Sequence, residues 1–433
     1  MNFLRMVFVL FVACLATSAV RADGPDSDLK FVLIVTRHGV RPPLAKDAYV
    51  AKMAAQPWPK WEVPAEFLTP HGAQLLTILG GYYRALYIRE GLLTGNPALD
   101  AAHVFLQADS DERTIESTRR LGLALLPGCQ PEVKALPAGT VDPLFRAFLY
   151  HLGHPDMALA LEAVQGRIGH DLPAVVRAHQ AALDEIDRVL FGAGGQAPPG
   201  KLSPLALGGT RVSPEIRANN DQMVTVEPFH KCMTVTENFL LEYEDGIPME
   251  DVGWGRVTPA TLTSLLELHS VYWDLAQRTF YVAQVQGSDL AAHILKTLDQ
   301  AVTAQPQKGA FGSTADRLVV IGAHDTNLIN LSGLLGITWT MPGMQMNPVP
   351  PGCALVFEVR QRRSDSQYVV RVQFVSQTLD QLRYLQPLTL EHPPFTAPIF
   401  IPGCSGAEPG SDAPYEKFKA LLERVIDREF TDM

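Results

Sequence analysis

Phe31-Val32-Leu33-Ile34-Val35-Thr36 is an unbroken apolar, β-branched run, the pattern of a strand buried on both faces of a parallel sheet. It stops at Arg37-His38-Gly39-Val40-Arg41-Pro42-Pro43, where paired prolines forbid further strand or helix. Thr69-Pro70 then predicts a helix start, a capping residue followed by proline at the first position. Leu75, Leu76, Leu79, Tyr82, Tyr83 and Leu86 carry the apolar face at helical spacing. Val104 to Ala108 reads as a second short strand. After it, Ser110-Asp111-Glu112 supplies a cap and an acidic first turn for a helix through Leu126.

From about residue 145 to 275 the periodicity is helical. Asp171 is expected to cap a helix with Val176, Leu183, Ile186 and Leu190 on one face, and the Gly- and Pro-rich stretch from Phe191 to Gly209 is a loop. Leu318 to Gly322 is another buried strand, running into His324-Asp325-Thr326-Asn327 and a helix through Leu335. Ala354 to Arg360 and Tyr368 to Gln377 alternate like a hairpin about Arg363-Ser364-Asp365. The expected fold class is α/β: a mostly parallel sheet flanked by helices, built from residues 23–145 and 276–433, with a smaller α-helical cap domain inserted at 146–275.

The first residues stand apart. Arg5 precedes the apolar run Met6 to Ala16, which is too short to span a membrane, and Val20-Arg21-Ala22 ends in small residues. Residues 1–22 therefore read as a secretory signal peptide, and the mature protein is expected to be periplasmic or secreted. Lipidation at Cys14 is disfavoured by Phe11 three places before it.

Composition narrows the partners. The chain has 433 residues and a formal net charge of −10 at pH 7, which argues against a nucleic-acid surface. Leaving the signal peptide aside, Cys129, Cys232, Cys353 and Cys404 remain for an oxidising compartment, where disulfides are expected; four cysteines allow three pairings, and the spacing does not choose. No CxxC spacing indicates zinc, and the pair His151 and His154 lacks a third ligand nearby. The mature protein is expected to work without a metal or cofactor, to bind neither membrane nor nucleic acid, and to be a monomer or small homo-oligomer.

Arg37-His38-Gly39-Val40-Arg41, Arg113 and His324-Asp325 share one feature: each follows the carboxyl end of a predicted strand. In open α/β sheets ligands bind at that edge, so the three segments can converge in one crevice. Three arginines beside two histidines form a cationic cluster that calls for an anion, and guanidinium forks fit phosphate oxygens. His38 is then a candidate nucleophile, with Arg37, Arg41 and Arg113 holding the phosphoryl oxygens, His324 adding a donor, and Asp325 protonating the leaving alcohol. An acid optimum is expected, because a carboxyl must carry a proton to donate one. Taken singly, each segment also reads as a solvated loop or a helix cap.

The run Arg37-His38-Gly39-Val40-Arg41-Pro42-Pro43 resembles the RHGxRxP signature of the histidine acid phosphatases, and His324-Asp325 resembles that family's HD pair. The likeness continues through Asp109-Ser110-Asp111-Glu112-Arg113-Thr114, Gly253-Trp254-Gly255-Arg256 and Gln377-Thr378-Leu379, and is greatest to bacterial phytases and glucose-1-phosphatases. The resemblance implies His38 as the phosphorylated nucleophile, Arg37, Arg41, Arg113 and His324 as phosphate ligands, and Asp325 as proton donor. It implies an α/β domain with an α cap and the site between them. It also suggests Glu237 and Arg278 as substrate contacts, although both positions fit a solvated helix face.

There are departures. Where phytases of this type carry a Thr-Lys pair after the signature, this chain has Leu44-Ala45-Lys46, closer to the glucose-1-phosphatase form, with Lys46 one position further on. Cys129 and Cys404 fall at family cysteine positions without their usual nearby partners, so no pairing carries over. The expected function is phosphomonoester hydrolysis through phosphohistidine, with phytate as favoured substrate and a sugar phosphate as the alternative. A phosphate-ester binder without catalysis would not need both His38 and Asp325.

Overall fold

The computed structural model describes residues 26–207, 210–211, 213–406 and 411–432; the expected signal peptide lies outside them. Eight strands form one mixed sheet: β1 (Ser27–Arg37), β2 (Val104–Ala108), β3 (Val133–Lys134), β4 (Leu318–Ala323), β5 (Ala354–Arg362), β6 (Tyr368–Ser376), β7 (Phe395–Pro398) and β8 (Ala413–Pro414). Their order is β7-β6-β5-β1-β4-β2-β3, with β8 also on β6. The core strands β1, β4, β2 and β3 run parallel, and β5, β6 and β7 add an antiparallel wing. The α/β reading holds, and the predicted hairpin is β5–β6.

Alternate residues of β1 serve two cores. Val32 and Ile34 join Leu75, Leu79 and Tyr83 of α1 (Pro70–Arg89) and Leu121 and Leu125 of α2 (Glu112–Leu125) on one face. Phe31, Leu33 and Val35 belong to the other face, which is why the strand lacks polar alternation. That second core extends through α3 (Gln180–Phe191), α4 (Phe229–Glu244), α5 (Pro259–Ala276), α6 (Phe280–Thr303), α7 (Asp325–Leu335) and α8 (Tyr415–Val425). Each fully buried Leu, Ile or Phe there contributes roughly 1.5–3 kcal/mol of transfer free energy. Among the described residues no helix is long and apolar enough to cross a membrane.

Local signals set most boundaries. Thr69 caps α1, its hydroxyl accepting from the Gly72 amide, with Pro70 at the first position. Three expectations need correcting. The helix after Asp171 is two: Asp171 caps Leu172–Ala178, and the chain breaks at His179, whose ring packs edge-on against Phe229 and bonds Glu267. The stretch read as mostly helical contains a hairpin that was not expected, Glu215–Asn219 with Met223–Glu227; Val224-Thr225-Val226 after the polar turn Asn220-Asp221 was the available signal. The four cysteines are unpaired. They sit apart in the fold: Cys232 on α4, Cys353 at the start of β5, Cys129 after α2, and Cys404 in the C-terminal loop, its thiol donating to the Lys417 carbonyl.

One close contact fixes the height of α2 over the sheet. Gly322 of β4 pairs with Thr36 and Ala108, and a Cβ there would lie 1.9 Å from Thr118 Oγ1 and 3.1 Å from the Thr114 carbonyl. Gly322→Ala is expected to cost about 1–3 kcal/mol by overpacking and to reduce turnover, because β4 leads directly into His324. Urea unfolding alongside the rate of the reaction expected from the sequence checks both; an unchanged midpoint would refute the contact.

Candidate active site

Parallel pairing decides where the chemistry goes. β1, β4 and β2 are neighbours running the same way, so Arg37-His38, His324-Asp325 and Asp109–Arg113 emerge at one edge. The loop after β1 is clamped from three sides. The His38 amide donates to the Ala323 carbonyl at 3.1 Å, the Gly352 amide to the His38 carbonyl at 3.0 Å, and the Gly39 amide to Ser117 Oγ at 2.9 Å. Gly39 is required by proximity to α1: its Cβ would meet Leu76 at 2.7 Å and Leu68 at 2.9 Å.

His38 is buried, with Nδ1 2.8 Å from the Gly39 carbonyl. A carbonyl only accepts, so Nδ1 carries the hydrogen and Nε2 keeps its lone pair. Burial, then the charges of Arg113, Arg37, Arg41 and His324, push the imidazole well below the usual histidine range. The ring therefore stays neutral in acid. Its centroid lies 5.5 Å from that of His324, edge to face.

Arg37 has no exposed surface. Its guanidinium donates to the Val349 carbonyl and to Glu237 Oε1, and Nη2 lies 2.9 Å from Asp325 Oδ2. Arg41 lies 3.9 Å from Glu237 and is held down to about 10, first by burial and then by Arg113. Arg113 Nη2 bonds Asp111 at 2.6 Å. All three arginines keep a buried Nε with no protein partner, the mark of a cluster with cationic capacity left for an anion.

Glu237 of α4 is buried and faces Arg37 and, at 3.0 Å, His269 Nε2. Burial alone would raise its carboxyl, but Arg37 and His269 hold it far below the usual range. Glu242 and Glu244 on the same helix bond no cation. Burial pushes Glu242 up to about 8 and Glu244 well above the ordinary carboxyl range. Glu237 is thus an ionised counter-charge, in contact with Arg37 and on the crevice wall.

Of the residues expected from the sequence, Arg37, His38, Arg41, Arg113, His324 and Asp325 meet at this edge. Arg278 does not join them. Every nitrogen of its guanidinium is used: Nε on Ser332 Oγ, Nη1 on Asp274 and Nη2 on the Ile337 carbonyl. It braces α5 against α7 and lies apart from the other expected residues. Of the expected Ser110-Asp111-Glu112 start, Asp111 stands at the cap position of α2. It makes no capping bond to α2 and turns to Arg113 and Arg146 instead.

Sequence reasoning missed Asp109, Arg146 and His269. Asp109 lay inside a quoted motif without a role; it has no exposed surface, accepts from His324 Nε2 at 2.6 Å and sits 3.0 Å from Arg146. Burial opposes its ionisation, but His324 and Arg146 hold it down to about 2. Nothing in the sequence pointed to Arg146. Asp109, Asp111 and His324 bring three possible ligand atoms within 4.8 Å of one another, but Arg113 and Arg146 already engage both carboxylates.

A crevice of about 290 Å³ opens here, lined among others by Arg41, Asp325, Glu237, Lys46, Asp47 and Asp221. A neutral imidazole with a free nitrogen, a ring of guanidinium groups and a carboxyl at the crevice wall can bind a phosphoryl group, attack it and protonate a leaving oxygen.

Comparison with known proteins agrees with this chemistry. A sequence model of the histidine phosphatase superfamily (branch 2) matches residues 28–147 and 217–375. Phytase AppA of Escherichia coli is 33% identical over 401 residues, covering 91% of each chain. A glucose-1-phosphatase of Salmonella typhimurium is 26% identical over 95% of this chain and 96% of its own. The solved structure of Hafnia alvei phytase with tartrate superposes with a TM-score of 0.84 at 31% identity, over 94% of this chain and all of that one.

The depressed His38 ionisation gives a test. Neutral His38 is lost as pH falls through its pKa, and Arg113 is the largest charge holding that pKa down. Arg113→Gln is expected to raise it, moving the acid limb of kcat/KM to higher pH, and to lower the plateau about 10²–10³-fold. An acid limb that stays in place while the plateau drops would show that Arg113 does not set the His38 charge.

Proposed function

The chain belongs to the histidine phosphatase superfamily (branch 2), and from that premise we propose that it hydrolyses phosphomonoesters through a phosphohistidine at His38, with phytate as the favoured substrate. The observation that carries the mechanism is the His38 Nδ1 bond to the Gly39 carbonyl. It fixes the tautomer and aims Nε2 away from its own loop, while burial and the surrounding guanidinium groups keep that nucleophile neutral in acid.

In the first step Nε2 attacks phosphorus, the P–N bond forms as the ester P–O bond breaks, and the departing oxygen takes the proton of Asp325. Arg37, Arg41, Arg113 and His324 neutralise the charge on the three phosphoryl oxygens. In the second step water attacks phosphorus, Asp325 recovers a proton from it, the P–N bond breaks and inorganic phosphate leaves. Glu237, on the crevice wall, is the counter-charge of Arg37.

The likeness to named phytases over nearly the whole chain supports phytate. One observation favours the sugar-phosphate alternative. Lys46 is the lysine on the crevice wall, and it lies 3.6 Å from Asp221 across the opening, with Asp47 beside it. With Arg278 engaged elsewhere, little cationic surface faces the outer phosphates of a highly charged ester. The leader-like residues 1–22 support export of the mature enzyme to the periplasm or beyond.

Phosphate release from phytate and from glucose 1-phosphate by the mature protein, at about pH 5 where a carboxyl can still be protonated, separates the two readings by their kcat/KM ratio. His38→Ala is expected to be silent on both; retained turnover would refute the phosphohistidine route. Asp325→Asn is expected to lose about 10²–10⁴-fold on these alkoxide leaving groups and far less on p-nitrophenyl phosphate, whose leaving group needs no proton. Equal losses on all three would remove Asp325 from the role of acid.

A further inference from the structure

Arg146 lies in the loop after β3 and belongs to no motif of the sequence, yet its Nη2 reaches three groups of the site. It bonds Asp111 Oδ2, lies 3.0 Å from Asp109 Oδ2, and is 3.4 Å from His324 Nε2. Its loop is anchored from below: the Phe145 and Arg146 amides donate to the Asp142 carbonyl, and Asn327 Nδ2 of α7 donates to the Phe145 carbonyl at 2.8 Å. Asn327 also accepts from the His324 amide at 3.0 Å, so Arg146 and His324 are registered through one side chain.

The charges around it explain why a guanidinium is needed. Asp109 and Asp111 place two carboxylates beside the groups assigned to the phosphate, where an anion would be repelled. His324 Nε2 is 2.6 Å from Asp109 and 3.7 Å from Asp111; Asp111 also holds Arg113 at 2.6 Å. With Arg146 absent, the pair of carboxylates would have one guanidinium instead of two, and Arg113 and His324 alone would have to offset them. One side chain prevents this.

We propose that Arg146 is a positioning residue of the phosphate site, neutralising Asp109 and Asp111 so that Arg113 and His324 stay directed at the phosphoryl group. This rests on the phosphatase reading above. It makes the anion site depend on four guanidinium groups, three facing the phosphate and one facing the carboxylates that hold those groups in place.

The test uses the mature protein, with inorganic phosphate binding by calorimetry and steady-state kinetics on p-nitrophenyl phosphate. Arg146→Ala is expected to weaken phosphate binding and raise KM by about tenfold or more, the scale of losing a charge-assisted bond, with a smaller fall in kcat. Arg146→Lys, which keeps the charge and shortens the reach, should recover part of the binding. The decisive variant is Arg146→Ala combined with Asp111→Asn. If Arg146 works by neutralising Asp111, removing that carboxylate restores binding toward the Asp111→Asn level, and the two substitutions are strongly non-additive. Losses that multiply, or phosphate affinity unchanged in Arg146→Ala, overturn the proposal. A wild-type protein that binds phosphate without turning over any ester would sink the phosphatase reading, while the affinity comparison would still decide the role of Arg146.

Discussion

A guanidinium with no exposed surface sits at the end of the central strand, and much of the structure answers to it. Burying Arg37 removes a charge from water at a cost of several kcal/mol, which Glu237, Asp325 and the Val349 carbonyl must offset. Those three partners come from α4, from the start of α7 and from the loop before β5. The requirement to neutralise one arginine therefore ties α4 and α7 to the sheet edge. Removing one partner from such a pair typically costs 3–5 kcal/mol, far more than the pair is worth against apolar packing.

The same logic sorts the carboxylates of the region. Glu237 remains ionised because a cation touches it, whereas Glu242 and Glu244, equally buried on the same helix, are pushed toward the neutral acid. Asp109 is ionised between His324 and Arg146. Cations and carboxylates alternate around the crevice: Arg37 is paired with Glu237, and Arg113 with Asp111 and then Arg146. Each charge stabilises that of its neighbour. An overall acidic chain can hold a strongly cationic pocket in this way without exposing the cations on its surface.

His38 is the product of that field. Its protonated form is disfavoured by burial and by four neighbours, so a group that would ordinarily be cationic in mild acid stays neutral. The proposed proton donor needs acid and the proposed nucleophile needs to be uncharged, and the arginine cluster lets one pH satisfy both.

The sequence determined many of the elements and the six residues that meet at the sheet edge. Period-two and unbroken apolar runs gave β1, β4 and the β5–β6 pair, the Thr69-Pro70 start gave α1, and the segments after three strands held the six residues that meet at the edge. Short-range chemistry suffices there, because caps, prolines and apolar runs act over a few residues. Tertiary structure decided what the spacing cannot express. It engaged Arg278 as a brace and Asp111 as an ion-pair bridge, left four cysteines unpaired, broke a helix at His179 where Phe229 and Glu267 hold it, and brought in Arg146. That arginine meets a histidine 178 residues away, and no local pattern records a contact that only the packing of β2, β4 and the loop after β3 creates.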